Sequence, residues 1–118
     1  MAIRKASAAA EALDATFHAL ADSTRRGMLA LVARKGECSA SELGAPFAIA
    51  QPTASKHIGV LESAGLVERR VEGREHRFRL VKRPLDAAQA WIARHQEFWE
   101  VSLARLDALL TEEGERRG

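Results

Sequence analysis

The chain has 118 residues, 47% of them hydrophobic, and a formal net charge of +2 at pH 7. This length predicts one compact domain over residues 1–118 with a small hydrophobic core. A single cysteine excludes an intrachain disulfide, and no apolar run approaches the roughly 20 residues that span a bilayer. The N-terminal segment lacks the continuous apolar stretch of a signal peptide, so we expect a cytoplasmic protein with no membrane partner.

Charge is distributed unevenly along the chain. Residues 51–84 contain eight Lys or Arg and four Glu, a balance of +4. Residues 85–115 contain two Arg and seven acidic residues, a balance of −5. A basic segment beside an acidic one is typical of a protein with one nucleic-acid face, and ordinary solvated surface charge is the alternative.

Regular apolar spacing predicts two helices at the start of the chain. Residues 8–21 place apolar side chains at steps of three and four, as one face of an amphipathic helix does. Asp22 or Ser23 can cap a second helix, which continues with a broad apolar face until Gly36 ends it.

A helix-turn-helix pattern follows over residues 39–65. Ser39 and Glu42 have the spacing of a capping box, which begins a short helix. Pro52 near the start of the next helix and Gly65 after its end mark a second helix close behind the first. Two short helices joined by a brief connection are typical of this motif.

A hairpin and a long helix complete the predicted fold, which is mainly α with a small β-hairpin (α+β). Residues 66–82 alternate apolar with charged or polar side chains around a Glu72-Gly73 turn, which predicts a two-stranded hairpin with a basic outer face. Pro84 begins a helix predicted over residues 84–113. Its apolar stripe is wider than one small core covers, so we expect a partner helix from a second copy of the chain.

The fourth predicted helix has two unlike faces. Ala54, Ile58 and Leu61 fall within about 60° of arc, so they form its core side. The opposite side carries small or polar residues and no acid in its first turns, which suits a helix that enters the major groove of DNA. An ordinary capped helix with a polar solvent face is the alternative. The candidates for contact with DNA on and beside this side are Gln51, Thr53, Ser55 and Lys56.

Two stretches of the sequence resemble the winged helix-turn-helix of the arsenical-resistance repressor (ArsR) family of bacterial transcription regulators. They read ALADSTRRGMLALVARKGECSASEL and QPTASKHIGVLESAGLVERRVEGREHRFRL, and the likeness covers residues 17–82. Its most specific parts are the ALADSTRRGML run, the recognition helix with its Leu66-Val67 strand entry, and the Glu-Gly-Arg wing turn. The resemblance implies a winged helix-turn-helix with a long C-terminal dimerisation helix.

The resemblance also implies partners and site residues. The implied partners are double-stranded DNA with a pseudo-palindromic operator and a second copy of the chain, held through the first and last helices. His57 joins the four candidates of the recognition helix, and Arg74 lies in the wing turn. The residues expected at the dimer interface are Phe17, Trp91, Phe98, Trp99 and Leu106.

The sequence departs from the family at both of its familiar metal sites. The best-known inducer site uses a pair of cysteines, but residues 41–45 contain none and Cys38 stands alone. The second site uses an Asp-x-His pattern, which is broken here because Ala88 follows Asp86 at that spacing and His95 is the only histidine of the last helix. We therefore predict no metal site and no cofactor.

No catalytic motif is visible in the sequence. It has no glycine-rich phosphate loop, no nucleophile elbow and no zinc-protease motif, so we do not expect an enzyme. The leading prediction is a sequence-specific DNA-binding repressor, with an unidentified small-molecule inducer left open. The alternatives are a metal-responsive repressor with an atypical site and a winged-helix protein-interaction module.

Overall fold

The computed structural model describes residues 7–117, which form five α-helices, one short 3-10 helix and three β-strands. The chain divides into two compact units, with the boundary between Ala88 and Gln89. Residues 1–6 and Gly118 lie outside the described part. Two predictions concern these residues. One is the absence of a signal peptide in the N-terminal segment, and the other is the extent of the domain to residues 1 and 118. No helix within the described part is long and apolar enough to cross a membrane.

The first two helices follow their capping signals. Helix α1 spans Ala8–Leu20, within a residue of the predicted range. Helix α2 spans Ser23–Lys35 and ends at Gly36. Of the two predicted caps, Asp22 is the one used, because its carboxylate accepts a 3.0 Å hydrogen bond from the backbone N–H of Arg25.

The helix-turn-helix is formed by α3, Ala40–Gly44, and α4, Gln51–Ser63, with a 3-10 helix over Ala45–Phe47 between them. Both bonds of the predicted capping box at the start of α3 are present. The two helices pack closely at Gly44, where an added Cβ would lie 3.1 Å from the Cβ of Ala54. A larger residue at either position would force α3 and α4 apart.

The sheet has three antiparallel strands rather than the two predicted. Strands β2, Val67–Glu72, and β3, Glu75–Leu80, form the hairpin, and β1, Glu37–Ser39, pairs with the other edge of β3. Strand β1 was not predicted from the sequence, because three residues are too few to show an alternating pattern. Cys38 lies opposite Phe78 in this pairing, and both side chains are buried.

The hairpin turn lies one residue later than predicted. It consists of Gly73 and Arg74, and Gly73 has a φ of 61°, which a glycine adopts without strain. Arg74 is thereby placed at the tip of the wing. Val71, which the alternating pattern assigns to the apolar side, is exposed because the wing extends beyond the core at that point.

The final helix, α5, spans Arg83–Arg117 and extends beyond its predicted end. At about 1.5 Å per residue its length is about 50 Å. Ala88 is buried, whereas the part from Gln89 onward exposes large apolar side chains to water. These exposed residues are Ile92, Phe98, Trp99, Val101, Leu103, Leu106, Leu109 and Leu110.

The first unit contains one hydrophobic core. The predicted core side of α4 is confirmed, because Ala54, Ile58 and Leu61 are all buried. Leu85 at the start of α5 packs against the edge of this core. The other buried members of the core are Ala19, Met28, Leu29, Leu31, Val32, Cys38, Leu43, Leu66, Val67 and Phe78. This packing fixes α4 with one side against the core and the other turned outward.

Candidate nucleic-acid interface

The outward side of α4 and its N-terminal edge carry polar side chains that have no partner within residues 7–115. Gln51, Thr53, Ser55 and Lys56 are exposed, and none makes a hydrogen bond or an ion pair through its side chain there. Ala50, the N-cap, supplies no side-chain hydrogen bond either. The first backbone N–H groups of α4 therefore remain open, and with the helix dipole they favour an anion at this end. We call these four exposed residues the reading face.

His57, the fifth candidate on α4, is less exposed than the four residues of the reading face, and its contact with DNA stays a prediction. Its side chain is 19% exposed and lies against α2, with Nδ1 3.3 Å from Nη1 of Arg25 and 3.8 Å from a carboxylate oxygen of Asp22. At about 100° per residue, His57 and Gln51 each lie about 60° around the helix from buried Ala54, on opposite sides of it. Of the two, His57 is the one whose side chain contacts α2 in the described part of the chain.

The outer face of the sheet is also unlike its prediction. Side chains of directly paired residues lie on the same face, so β1, β2 and β3 place Glu37, Glu68, Glu72 and Glu75 beside three arginines. Arg70 bonds Glu37 at 2.6 Å and Glu72 at 3.2 Å, Arg77 pairs with Glu37 at 3.3 Å, and Arg79 pairs with Glu68. The outer face is a network of ion pairs with more acids than bases, not a basic surface.

Arg69 lies on the inner face of the hairpin, and its guanidinium is also engaged in hydrogen bonds within the chain. It donates to both carboxylate oxygens of Glu62 in α4, at 3.1 and 2.9 Å, and to Nδ1 of His76 at 3.1 Å. Its guanidinium also lies 5.1 Å from the centre of the Phe78 ring. Arg69 therefore joins the wing to the recognition helix and is not free to contact a phosphate.

These ion pairs leave few Lys and Arg side chains of residues 51–84 unpaired and so available to bind DNA phosphates. Of the eight Lys and Arg in residues 51–84, four are paired in the wing and Lys82 lies 3.9 Å from Asp86. Lys56, Arg74 and Arg83 make no ion pair with any residue of the described part. Lys56 is on the reading face and Arg74 is at the wing tip, so two of these three cations lie where they can meet the DNA backbone.

A polar cleft of about 310 Å³ separates the helix-turn-helix from the wing. Its floor includes buried Ile58 and Phe78, and its rim includes Ser41, Ser55 and Arg74. Ser41, which was not predicted to be a site residue, is exposed in the first turn of α3 and lines this cleft two residues after the capping Ser39.

Metal-ligating side chains are scattered. Within residues 7–117, no three His, Cys, Asp or Glu are grouped closely enough to hold a metal ion. Burial raises the pKa of the Cys38 thiol, which disfavours the thiolate that metals bind. Nδ1 of His95 donates to the carbonyl of Trp91 at 2.8 Å, within the same helix.

The residues expected at a dimer interface lie mainly on the exposed part of α5. The ring of His95 stacks on Trp91 with 4.1 Å between centroids, and Trp99 meets Trp91 edge to face at 6.2 Å. These three rings form a continuous ladder along one side of the helix. Phe98 and Leu106 are exposed, whereas Phe17 of α1 is half-buried.

Comparison with known proteins adds to this geometry. A helix-turn-helix domain family matches residues 20–70. The arsenical resistance operon repressor of Escherichia coli K12 is 30% identical over 95 residues, which are 80% of this chain and 78% of that protein. An ArsR family transcriptional regulator of known crystal structure is 42% identical with a TM-score of 0.71, covering 76% of this chain and 92% of that one. A homodimeric winged helix-turn-helix DNA-binding domain from Mycobacterium bovis is 29% identical with a TM-score of 0.59, covering 89% and 95%.

Proposed function

Because this chain belongs to the ArsR family of transcriptional regulators, we propose that it is a homodimeric repressor that occupies a pseudo-palindromic operator in double-stranded DNA. The observation that carries the proposal is the reading face. Four polar side chains on and beside the outward side of α4 lack partners in the described part of the chain, whereas four of the arginines of the neighbouring wing are already paired. Side chains without intramolecular partners can exchange water for bases and phosphates at low cost.

Two kinds of contact follow from the chemistry of the reading face. The amide of Gln51 and the hydroxyls of Thr53 and Ser55 can donate to and accept from base edges in the major groove. Lys56 and Arg74 carry only donors and a positive charge, so they suit phosphate oxygens. The reading face would then identify the sequence, while the two cations hold the wing and the helix against the backbone.

A second copy of the chain is the partner that suits the exposed part of α5. Large apolar side chains in contact with water mark an association surface, and identical chains most often associate about a two-fold axis. The homodimeric domain from Mycobacterium bovis supports this assembly. A two-fold dimer presents two reading faces, which accounts for a pseudo-palindromic operator. We assign Trp91, Phe98, Trp99 and Leu106 to this interface, together with Phe17.

Repression by operator occupancy is the simplest regulatory role for such a dimer. The relative from Escherichia coli is a repressor by name, and a protein bound at an operator blocks access to the same DNA. This role requires no catalysis and places the protein in the cytoplasm with the chromosome. Since Cys38 is buried and stands alone, we propose that no metal ion releases the DNA, and an unidentified small molecule remains the alternative inducer.

Selection of bound duplexes tests the proposal. The protein is incubated with a library of random duplexes, the bound fraction is amplified and sequenced, and the enriched site is footprinted. We expect two inverted half-sites with centres about 10 to 10.5 base pairs apart, or a multiple of that spacing. The enriched duplex should bind about 1,000-fold or more tightly than a scrambled duplex of equal length. If no sequence is enriched, the winged-helix protein-interaction module is the better interpretation.

A further inference from the structure

Arg25 lies where three helices meet. Its Nε donates to the carbonyl of Ala19 at 2.8 Å and its Nη2 to the carbonyl of His18 at 3.0 Å, both in the last turn of α1. Its third nitrogen, Nη1, contacts Nδ1 of His57 in α4 at 3.3 Å. One side chain of α2 therefore holds the end of α1 and the recognition helix at the same time.

In the hydrogen bond between Arg25 and His57, the chemistry of the two side chains determines which of them donates. A guanidinium has donors only, so Nδ1 of His57 must accept and carry no proton. The carboxylate of Asp22 lies 3.8 Å from the same nitrogen, beyond hydrogen-bond distance. The backbone N–H of Arg25 lowers the pKa of Asp22, which keeps an anion beside the guanidinium. Arg25 is therefore the donor of this cluster, and the carboxylate of Asp22 beside it carries the opposite charge.

This contact is the polar anchor of the first turns of α4. Within the described part of the chain, His57 is the one residue from Gln51 to Ile58 whose side chain makes a hydrogen bond. Burial of Ala54 and Ile58 holds the helix against the core, but apolar packing has little directional preference. A rotation of about 20° about the helix axis would move a side chain at a radius of about 5 to 6 Å by about 2 Å, enough to break a hydrogen bond to a base.

We propose that Arg25 is a positioning residue for DNA recognition, which acts through His57 to fix the rotation of α4 and so to place Gln51 and Thr53 against base edges. The inference rests on the proposed function, because it concerns how the same helix reads DNA. Arg25 itself touches no DNA in this account.

Arg26 provides a matched control for Arg25. It is the next residue of α2, and its Nη1 donates to the carbonyl of Leu20 at 2.7 Å, so it also holds the last turn of α1. It makes no hydrogen bond or ion pair with His57 in the described part of the chain. Arg25→Gln and Arg26→Gln each remove one positive charge and weaken the hold on α1, but only the first removes the link to α4.

The two variants are titrated against the duplex enriched by the wild-type protein and against a scrambled duplex, after circular dichroism confirms that both are folded at the assay temperature. We expect Arg25→Gln to lose about tenfold in affinity for the enriched duplex, the size of one lost base contact. Its affinity for the scrambled duplex should match that of Arg26→Gln. An equal loss of discrimination in both variants would show that Arg25 only stabilises the end of α1.

Two substitutions of His57 keep the test decisive if Arg25→Gln does not fold. Asn carries a carbonyl oxygen close to the position of Nδ1 and can accept from Arg25, whereas Leu cannot. We expect His57→Asn to keep the discrimination of the wild-type protein within about twofold and His57→Leu to lose about tenfold. Similar discrimination in the two variants, whether retained or lost, overturns the positioning role.

The result also separates this inference from the proposed function. A wild-type protein that enriches no duplex overturns both. A wild-type protein that enriches a duplex, together with a His57→Leu variant that discriminates equally well, overturns only the role of Arg25.

Discussion

Glu62, near the end of the recognition helix, and Arg69, in β2, are joined by two hydrogen bonds of 3.1 and 2.9 Å. Such a bidentate pair fixes both the distance and the relative orientation of the two groups. The wing and α4 are therefore held together, and we expect the wing tip and the reading face to approach DNA as one surface. Arg74 and Lys56, which make no hydrogen bond or ion pair through their side chains in the described part of the chain, are the expected cations of that surface.

The first prediction concerns the charge at the wing tip. Arg74→Gln should weaken binding to the enriched and scrambled duplexes alike, because a phosphate contact is independent of sequence. Loss of one phosphate contact from each half of a dimer should reduce the slope of log affinity against log salt by about 1.8. Affinity is measured by fluorescence anisotropy at several salt concentrations.

Arg79→Gln is the control for that measurement. It removes the same charge from the same hairpin, but Arg79 is paired with Glu68 and lies on the outer face of the sheet. We expect its salt dependence to equal that of the wild-type protein. If both variants reduce the slope equally, the paired and unpaired arginines of the wing do not differ and our assignment of Arg74 is wrong.

Local sequence rules predicted much of this fold. The Ser39 and Glu42 capping box, the Asp22 cap and the core side of α4 each depend on residues a few positions apart, and the structure confirms all three. Spacing of this kind is sufficient because hydrogen bonds and packing within a single helix are decided by neighbours in the sequence. The wing hairpin was equally visible as an alternating pattern.

The features that were mispredicted depend on contacts between distant residues. The outer face of the wing looked basic because Glu37, which pairs with Arg70, is 33 residues away and belongs to a strand too short to detect. The contact of His57 with Arg25 likewise could not be predicted, because the two residues are 32 positions apart in the sequence.

The capping box predicts a dependence of stability on pH. Hydrogen bonds from Ser39, first its backbone N–H, lower the pKa of Glu42 from its ordinary value of 4.5. A carboxyl whose pKa is lower in the folded protein contributes stability above its ordinary pKa and loses it as the pH falls through the folded value. The wild-type protein should therefore lose more stability between pH 7 and pH 3 than Glu42→Gln does, measured by urea denaturation.

Glu100→Gln serves as the control, because Glu100 makes no side-chain hydrogen bond or ion pair within residues 7–115. Its loss of stability on acidification should equal that of the wild-type protein. Equal losses in all three proteins would show that the capping box adds nothing to the acid sensitivity.

The position of Cys38 opposite Phe78 predicts a structural role for the thiol. Cys38 is fully buried, so Cys38→Ala should destabilise the protein by about 1 to 2 kcal/mol through lost packing. Cys38→Ser should cost about 1 to 3 kcal/mol more than Cys38→Ala, because it buries a hydroxyl in an apolar site. Urea denaturation measures both differences, and a serine variant as stable as the alanine variant would contradict the buried position.

The same burial predicts that metals do not regulate binding. Arsenite, cadmium or zinc should change the affinity of the wild-type protein for the enriched duplex by less than about twofold, since single ligands rarely form tight sites. The Cys38→Ala variant provides the comparison. Release of the wild-type protein but not the variant would identify Cys38 as a metal ligand and restore the alternative of an atypical metal-responsive repressor.

The exposed apolar side of α5 predicts the assembly. Leu106→Lys should shift the protein toward monomers, because burial of a leucine contributes about 1.5 to 3 kcal/mol and a two-fold interface contains it twice. The dimer dissociation constant should therefore rise by about 100-fold or more. Val71→Lys replaces a similarly exposed apolar residue of the wing, and it should leave the dimer dissociation constant unchanged. Sedimentation at micromolar concentration distinguishes these cases, and a monomeric wild-type protein would contradict the assignment.

The reading face gives the last prediction, which separates base contacts from phosphate contacts. Gln51 and Thr53 are exposed and unpartnered within the described residues, in the first turn of α4. Gln51→Ala or Thr53→Ala should cost about 1 to 3 kcal/mol on the enriched duplex and much less on a scrambled one, because contact with a base edge depends on the base. The slope of affinity against salt should stay unchanged, in contrast to Arg74→Gln, because neither residue releases a counterion.

Ser63→Ala, at the far end of the same helix and also exposed, is the matched control and should bind both duplexes like the wild-type protein. If the Gln51 and Thr53 variants weaken both duplexes equally, these residues contact the backbone, and specificity must come from Ser55 or from the shape of the DNA.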